Sequence, residues 1–287
     1  MNLWLALDYR RAERVIQKHS KTFYKAFSQL PNPSQRRGIY AVYAYCRLVD
    51  DAIDEQHSLP LLHTYKSNLD RLVKGEKPRG FLWNVLGHTT TLFRYEENDF
   101  KPFYELIEGQ EFDAAPVSIQ TLDQLDHYCD LVATSVGRML LPILQPKPNA
   151  DHDAFAVALG RAFQITNIVR DVGDDHRRDR IYLPKDRMNH YGYSREDLWN
   201  DVNNDAFKDV MKELIQRARD YYIQAEQHLS HFDADVRFPL QASLVLYRAI
   251  LDEIETQDYD VFRKKHYVSS ERKKALIASL IQEKNLR

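Results

Sequence analysis

Residues 164–184 read QITNIVRDVGDDHRRDRIYLP and combine a helical apolar pattern with a row of oxygen-bearing side chains. On a helix with about 100° per residue, four of these side chains share one face, namely Gln164, Asn167, Asp171 and Asp175. Gly173 lies inside the pattern, where it costs about 1 kcal/mol relative to Ala. The row runs directly into the basic residues 177–180 (RRDR). Oxygen ligands beside arginines suit a divalent cation and a phosphorylated substrate, although a solvated helix face is the simpler alternative.

A second acidic row ends the segment GIYAVYAYCRLVDDAID, residues 38–54, which is apolar almost all round and therefore predicts a buried helix. One arc of about 100° carries two tyrosines and four charged side chains, namely Tyr40, Tyr43, Arg47, Asp50, Asp51 and Asp54. Asp50 and Asp54 lie one turn apart and repel each other, and the helix dipole disfavours anions at this end. A solvated helix end is one reading, but Mg²⁺ bound by these carboxylates explains the pattern better.

Composition predicts an ordinary soluble globular protein, and the helical periodicity described below predicts an all-α fold. The 287 residues are 44% hydrophobic and 29% charged, with a formal net charge of −2, which gives no support for nucleic-acid binding. Cys46 and Cys129 lie in apolar helical contexts, so we expect buried free thiols and a reducing compartment. No run of 18 apolar residues exists and the N-terminal apolar run is short, so we expect an intracellular protein without a signal peptide or membrane span.

Glycine is scarce and helical periodicity dominates, so we expect one α-helical domain over residues 1–287. Proline and glycine positions divide the pattern into helices and connections. The predicted helices are 8–30, 34–54, 59–73, 81–95, 99–113, 121–144, 151–175, 205–229, 238–256 and 270–284. Residues 184–194 are expected to be a turn-rich connection. The basic segment 270–284 could lie on a membrane surface, but a terminal helix with a solvated face is the favoured reading.

The two acidic rows together are more specific than either row alone. On facing helices they would hold a diphosphate through bridging Mg²⁺, which would make it a good leaving group. The carbocation left behind would need an apolar cavity that excludes water. We therefore expect Asp50→Ala and Asp171→Ala to abolish turnover while leaving the fold intact or slightly more stable, because each change relieves like-charge crowding.

The segments RLVDDAID (47–54) and NIVRDVGDD (167–175) resemble the two aspartate-rich motifs of the squalene/phytoene synthase family. Four further segments resemble family signatures in the same order. They are HSKTF (19–23), LIEG (106–109) followed by Asp113, YCDLVA (128–133) with Gly137, and RIYLP (180–184). Tyr247 also matches a tyrosine on a late helix of the family. The resemblance covers nearly the whole chain, and it implies an isoprenoid-synthase helical bundle with a central cavity.

The resemblance implies head-to-head condensation of two prenyl diphosphates through a cyclopropylcarbinyl (presqualene) diphosphate. It places two or three Mg²⁺ ions on Asp50, Asp51, Asp54, Asn167, Asp171 and Asp175. It assigns direct catalytic roles to Arg47, Asp50, Asp54, Tyr128, Asp171 and Asp175. It assigns substrate binding to His19, Ser20, Thr22, Phe23, Phe27, Tyr43, Arg47, Val132, Ala133, Gln164, Asn167, Arg170, Tyr247 and Lys265. Lys265 is selected from several basic residues in the segment 262–268.

Chain length is expected to depend on the first predicted helix. Phe23, Phe27 and Leu30 form one apolar stripe there, and many phytoene synthases resemble this chain but carry a smaller residue at the position of Phe27. A phenyl ring would shorten the cavity, so we expect two farnesyl diphosphates to give dehydrosqualene (4,4'-diapophytoene), the first C30 carotenoid precursor. Phytoene synthesis from two geranylgeranyl diphosphates is the alternative, and Phe27 as ordinary core would leave the length open.

NADPH is not expected to be needed, because the chain has no GxGxxG fingerprint; a squalene synthase, which requires this hydride donor, is the other alternative. Two further alternatives use helices of this kind. A non-catalytic helical scaffold would have degraded aspartates, and a terpene cyclase or chain-elongating prenyltransferase would lack the HSKTF and YCDLVA segments. We expect prenyl diphosphates as the partners, with no nucleic acid. We also expect a cytoplasmic protein, with peripheral contact to the inner face of the membrane for product release and a downstream desaturase as further options.

Overall fold

The protein is an assembly of α-helices in a computed structural model that describes residues 2–285. The first seven helices are α1 (Leu3–His19), α2 (Lys21–Phe27), α3 (Pro33–Asp54), α4 (Leu59–Val73), α5 (Phe81–Leu92), α6 (Lys101–Asp113) and α7 (Leu122–Cys129). The next seven are α8 (Ser135–Leu144), α9 (Ala150–His176), α10 (Lys185–Tyr191), α11 (Arg195–Trp199), α12 (Asp205–His228), α13 (Ala234–Thr256) and α14 (Ser270–Asn285). The all-α prediction is confirmed.

Helix α9 runs through the centre of the molecule and carries the second aspartate row. Its 27 residues span about 40 Å. It packs along α12 and also contacts α8 and α13, and its apolar face is fully buried at Ala162, Ile165 and Val169. Burial of that face leaves the polar row of the same helix directed away from α12, so the sequence pattern sets the orientation of the site.

Helix α3 carries the first aspartate row and is buried along most of its length. Pro33 occupies its first turn and Asn32 caps it by accepting a hydrogen bond from the Ser34 amide. Val42, Tyr45 and Val49 are fully buried against neighbours that include α1, α5 and α8. The three aspartates are therefore the polar end of a core helix. The buried apolar side chains form one continuous cluster, while the single-domain assignment itself stays a prediction.

Several predicted helix ends are shifted by a few residues, and three larger differences lie inside predicted elements. The first helix breaks at Ser20, whose φ of −144° and ψ of 80° separate α1 from α2. The helix predicted over 121–144 contains a π-helical turn, Asp130–Thr134, between α7 and α8. The connection predicted over 184–194 contains α10, which ends at Gly192 in the left-handed region with φ of 75°. Helical periodicity alone reports none of these local changes.

Two short strands fix the chain just after α9. β1 (Val117–Ser118) pairs in parallel with β2 (Arg180–Ile181), with Val117 opposite Arg180. The amide of Val117 donates to the Asp179 carbonyl at 3.0 Å, and the amide of Ile119 donates to the Ile181 carbonyl at 3.1 Å. This pairing holds Arg180 beside Asp113, the last residue of α6.

Two positions of α9 are glycine because the backbone of another segment packs directly against the helix there. A Cβ at Gly173 would lie 2.6 Å from the Val261 carbonyl oxygen, and one at Gly160 would lie 2.6 Å from the backbone of Thr134. Glycine therefore lets the 261–262 segment and the π-helical turn pack directly on α9. The contact at Gly173 accounts for the helix-propensity cost noted in the sequence.

Two further sequence predictions concern the cysteines and membrane-spanning helices. Both cysteines are free thiols, as predicted; Cys129 is buried as expected, whereas Cys46 is only half-buried. Across residues 2–285, no helix has the length and apolar content needed to cross a bilayer.

Candidate active site

A cavity of about 320 Å³ lies between the two aspartate-bearing helices, α3 and α9. Helices α1, α2, α6, α8 and α13 and the π-helical turn contribute to its walls, which are mostly apolar. The lining includes ten of the predicted site residues. They are Phe23, Phe27, Tyr43, Arg47, Asp50, Val132, Ala133, Gln164, Asn167 and Tyr247. The cavity is therefore apolar along its walls and acidic and basic at one end.

Arg47 organises the first aspartate row on α3. Its guanidinium lies 3.3 Å from Asp50 Oδ2 and 3.7 Å from Glu55 Oε1, and it also forms an ion pair with Asp51 one turn away. The other oxygen of Asp50 accepts a hydrogen bond of 3.1 Å from Gln110 Nε2 on α6. One arginine thus neutralises part of a carboxylate cluster whose members would otherwise repel.

Asp171 in the second row is held by two cations. Arg170 donates to both of its carboxylate oxygens at 2.7 and 2.6 Å, and Lys265 Nζ lies 3.0 Å from Oδ1. The loop that brings Lys265 here is the segment that packs on Gly173. The structure thus places Lys265, selected from several basic residues in the sequence, at the aspartate row.

Arg180 links the two aspartate rows physically. It is only 11% exposed and donates to Asp54 Oδ1 at 2.6 Å. Its second nitrogen donates to the Asp113 carbonyl at 3.0 Å. Because β2 joins Arg180 to α9 and Asp54 ends α3, this ion pair ties the ends of the two motifs together.

Asp113 lies below this link and is buried. Its carboxylate accepts hydrogen bonds from the Tyr128 hydroxyl at 2.8 Å and the Tyr182 hydroxyl at 2.7 Å, and the two rings stack at 4.8 Å. Burial raises the pKa of Asp113 to about 6, against the lowering effect of both hydroxyls. Tyr128 was predicted to be catalytic, but the structure places its hydroxyl on Asp113 rather than in the cavity lining, so this arrangement favours a positioning role.

The carboxylates fit a divalent cation. Burial, followed by the charge of Asp54, raises the pKa of Asp50 to about 7; burial and then Asp171 raise the pKa of Asp175 to about 8. A bound cation would remove both charge penalties. Gln110 Oε1 is buried and lacks a hydrogen-bond partner among the described residues. The donor set is entirely carboxylate and amide oxygen, the ligand type that Mg²⁺ prefers.

Asn167 is oriented by two neighbours at the wall of the cavity. Its Oδ1 accepts a hydrogen bond of 3.1 Å from the Tyr247 hydroxyl, and its Nδ2 donates to Gln164 Oε1 at 3.4 Å. Tyr247 also joins an aromatic wall, because its ring centroid lies 4.4 Å from Phe163 and 6.0 Å from Phe23. The polar row of α9 is thus continuous with an aromatic surface.

The remaining predicted residues lie around the acidic end, outside the cavity lining. Ser20 is half-buried at the break between α1 and α2. His19 is exposed, and partial burial followed by the nearby charge of Arg47 lowers its pKa. Thr22 Oγ1 accepts a hydrogen bond of 3.4 Å from Lys273 Nζ. The nearby charge of Arg47 shows that His19 lies beside the motif on α3, while Thr22 lies against α14.

Four site residues were not predicted as such from the sequence: Gln110, Asp113, Arg180 and Tyr182. Gln110 and Asp113 are buried on α6 between charged residues such as Glu108 and Glu111, so helical periodicity does not single them out as buried. The role of Arg180 depends on pairing between β1 and β2, and two-residue strands leave no periodic pattern.

Comparison with known proteins agrees with this geometry. A profile of the squalene/phytoene synthase family matches residues 16–272. The 15-cis-phytoene synthase of Synechococcus elongatus is 39% identical over 284 residues, which cover 94% of this chain and 91% of that protein. Phytoene synthase 1 of Arabidopsis thaliana chloroplasts is 38% identical over 94% of this chain, and the chain spans 65% of its length.

Solved structures give the same result. A dehydrosqualene synthase in complex with a ligand superposes with a TM-score of 0.92 and 33% identity, covering 99% of this chain and 98% of that one. The squalene synthase HpnC of Alicyclobacillus acidocaldarius gives a TM-score of 0.82 and 25% identity, over 91% and 97% of the two chains. The chain belongs to the squalene/phytoene synthase family of head-to-head prenyltransferases.

Proposed function

We propose that this protein condenses two farnesyl diphosphates head to head to form dehydrosqualene. One substrate loses diphosphate, and its allylic cation attacks the terminal double bond of the other. Loss of a proton closes the cyclopropane of presqualene diphosphate. Loss of the second diphosphate, rearrangement and loss of a second proton then give the central conjugated triene. Two diphosphates and two protons leave in all, so no hydride donor is required.

The acidic end of the cavity is proposed to bind the diphosphates. Asp50, Asp51, Asp54, Asn167, Asp171 and Asp175 would hold two or three Mg²⁺, which supply Lewis-acid stabilisation of the leaving group. Arg47 lies in the cavity lining and can contact a diphosphate directly. Arg170 and Lys265 hold Asp171 and supply further positive charge. Arg180 keeps the two aspartate rows at a fixed separation through Asp54.

The apolar walls are proposed to shelter the carbocations. Phe23, Phe163 and Tyr247 present a contiguous aromatic surface with centroid distances of 4.4 to 6.0 Å. Aromatic faces stabilise cations by about 0.5–2 kcal/mol each when water is excluded. Water would quench the cation to an alcohol, so a closed apolar wall also protects the reaction.

The position of Phe27 carries the proposal of farnesyl rather than geranylgeranyl chains. Phe27 lines the cavity, is only 2% exposed, and stacks on Phe23 with a centroid distance of 5.9 Å. A close-packed ring cannot move aside for an additional isoprene unit without displacing its neighbours. Similarity to a dehydrosqualene synthase over almost the whole chain supports the same choice.

Phytoene synthesis from geranylgeranyl diphosphate is the second candidate. It is favoured by the 39% identity to the phytoene synthase of Synechococcus elongatus. Both candidates share the aspartate rows and the reaction sequence, and they differ only in the depth of the apolar cavity. A change in the cavity wall therefore distinguishes them.

The test replaces Phe27 with Ala and measures rates with farnesyl and geranylgeranyl diphosphates separately. We expect the ratio of geranylgeranyl to farnesyl turnover to rise at least about tenfold, because a steric block is removed. Phe103→Ala is the matched control, since Phe103 is equally buried but outside the cavity lining. Efficient phytoene formation by the unmutated protein would reject Phe27 as the length determinant.

We further propose a cytoplasmic protein that delivers its product at a membrane surface, to a desaturase that acts next. A C30 hydrocarbon is insoluble in water, and α1 exposes Leu3, Trp4 and Leu7 beside the basic residues 10–14 (RRAER). Apolar and basic side chains together favour anionic bilayers. Co-sedimentation with vesicles containing anionic lipid should fall in a Trp4→Ala variant and at high salt.

A further inference from the structure

A second cluster of metal-ligating side chains lies outside the aspartate rows. Asp151 is in the first turn of α9, His228 ends α12, and His231 follows in the short 3₁₀ helix Leu229–His231. One potential ligand atom from each residue lies within 4.8 Å of the other two. The chain thus brings two imidazoles and one carboxylate together at the junction of two long helices.

The spacing brings both imidazoles within coordinating reach of one carboxylate, each beside a different oxygen. His228 Nδ1 lies 3.4 Å from Asp151 Oδ1, and His231 Nδ1 lies 3.5 Å from Asp151 Oδ2. Ligands at about 2.0–2.1 Å from a tetrahedral zinc ion are separated by about 3.3–3.4 Å. His228 Nδ1 is also a buried atom that has no hydrogen-bond partner among the described residues. It faces the carboxylate without hydrogen-bond geometry, as expected of a ligand atom that shares a cation with that carboxylate.

Neighbouring groups hold the ligands in place. His152 Nδ1 accepts a hydrogen bond of 3.0 Å from the Asn149 amide, so its other nitrogen carries the proton and donates to the His231 carbonyl at 3.1 Å. Asn149 Oδ1 in turn accepts from the Asp151 amide at 3.0 Å. The helix cap therefore fixes both Asp151 and the backbone of His231. These contacts belong to the capping box of α9, and they hold the backbone of two of the three ligand residues.

We propose that Asp151, His228 and His231 form a binding site for a divalent transition metal of the zinc type. Two imidazoles and one carboxylate suit Zn²⁺, whereas Mg²⁺ prefers all-oxygen ligands. With three protein ligands the fourth tetrahedral position is left to water. The site is separate from the aspartate rows and has a different metal preference from theirs.

The proposed ion would join the start of α9 to the end of α12 beside the apolar end of the cavity. Phe232 follows His231 directly and contacts Phe155 at a centroid distance of 4.8 Å; both rings line the cavity. A metal that binds only the folded chain stabilises it, and free Zn²⁺ at about 100 times its dissociation constant would raise the folding equilibrium constant about 100-fold.

The experiment uses the full chain, stripped with EDTA and dialysed into excess Mg²⁺, which occupies oxygen-ligand sites. Titration with Zn²⁺ should give one ion bound per chain and a higher melting temperature that EDTA reverses. Asp151→Asn, His228→Gln and His231→Gln should each weaken binding by at least about tenfold, since loss of a supporting contact alone has such an effect. His190→Gln, at an exposed histidine, and Asp50→Asn in the first aspartate row should leave it unchanged.

Co²⁺ gives an independent readout, because its visible absorption intensifies in tetrahedral coordination. The intense band should appear in the unmutated protein and disappear in His228→Gln. Zinc binding that survives all three ligand substitutions, or no retained zinc at about 100 μM free ion, would overturn the proposal. A melting temperature that depends on pH through the histidines but not on zinc would instead identify the cluster as simple ion pairs, and would overturn it as well.

Discussion

Asp50 and Asp171 occupy equivalent places in the two aspartate rows, yet the structure predicts opposite effects on stability when each is changed to Asn. Asp50 is a crowded carboxylate with a raised pKa of about 7. Asp171 is held by Arg170 and Lys265. Without Mg²⁺, Asp50→Asn should therefore stabilise the protein and Asp171→Asn should destabilise it. The sequence predicts that Asp171→Ala leaves the fold intact or slightly more stable, whereas the ion pairs of Asp171 in the structure predict a loss of stability when its charge is removed.

The size of each effect follows from burial and charge. A pKa of about 7 in place of 3.8 for Asp50 corresponds to about 4 kcal/mol at full burial. Since the side chain is 35% exposed, solvent screening reduces this to about 1 kcal/mol, or about 2 °C in melting temperature. Arg170 is only 14% exposed, so loss of the Asp171 charge beside it should cost about 2 kcal/mol.

The pH dependence of the stability change provides a second check on the direction of the Asp50→Asn effect. A raised carboxyl pKa means that stability is greatest below the unfolded value near 4 and is lost as the pH rises towards 7. The gain from Asp50→Asn should therefore be full at pH 8 and should shrink steadily below pH 7. Thermal unfolding in EDTA at several pH values measures it, with the exposed Asp220→Asn as control. A destabilised Asp50→Asn protein at pH 8, or a stabilised Asp171→Asn protein, would refute the reasoning.

Three further predictions concern the same region. Gly173→Ala should destabilise the protein and weaken diphosphate binding, despite a helix-propensity gain of about 1 kcal/mol, because the added Cβ would meet the Val261 carbonyl at 2.6 Å. Unfolding curves measure the stability and product inhibition measures diphosphate binding, and a more stable variant would contradict the prediction. Tyr247→Phe should lower kcat about tenfold with little effect on stability, since Asn167 loses the hydroxyl that orients it. An unchanged kcat would exclude the orientation of Asn167 by Tyr247 as a requirement for turnover. Mg²⁺ affinity should rise from pH 6 to about 9 and then level off, because the carboxyls with raised pKa values, about 7 for Asp50 and about 8 for Asp175, must release their protons on binding. Titration calorimetry in two buffers measures the protons released, and a pH-independent affinity would contradict the prediction.

Much of the site could be predicted from the sequence because its residues repeat at helical spacing. Asp50 and Asp54 on α3, and Asn167 and Asp171 on α9, are one turn apart on otherwise apolar helices. Such spacing reports both the secondary structure and the shared face. The structure brings these faces together at one end of the cavity, as the two-row pattern indicates.

The rest depends on contacts between distant segments, which periodicity does not encode. The ion pair from Arg180 to Asp54 spans 126 residues and requires the short strand pair. The position of Lys265 depends on backbone contact at Gly173, although the glycine was visible as an anomaly. The hydroxyl of Tyr128 bonds to Asp113, and a single buried tyrosine in a sequence does not indicate which partner it meets.

The most direct test of the central claim is product identity. The purified protein is incubated with Mg²⁺ and equal concentrations of farnesyl and geranylgeranyl diphosphates, with and without NADPH, and the hydrocarbons are identified by mass spectrometry. The account predicts dehydrosqualene as the main product, unchanged by NADPH. Phytoene as the main product would contradict the role of Phe27, and squalene formed whenever NADPH is present would contradict termination by proton loss.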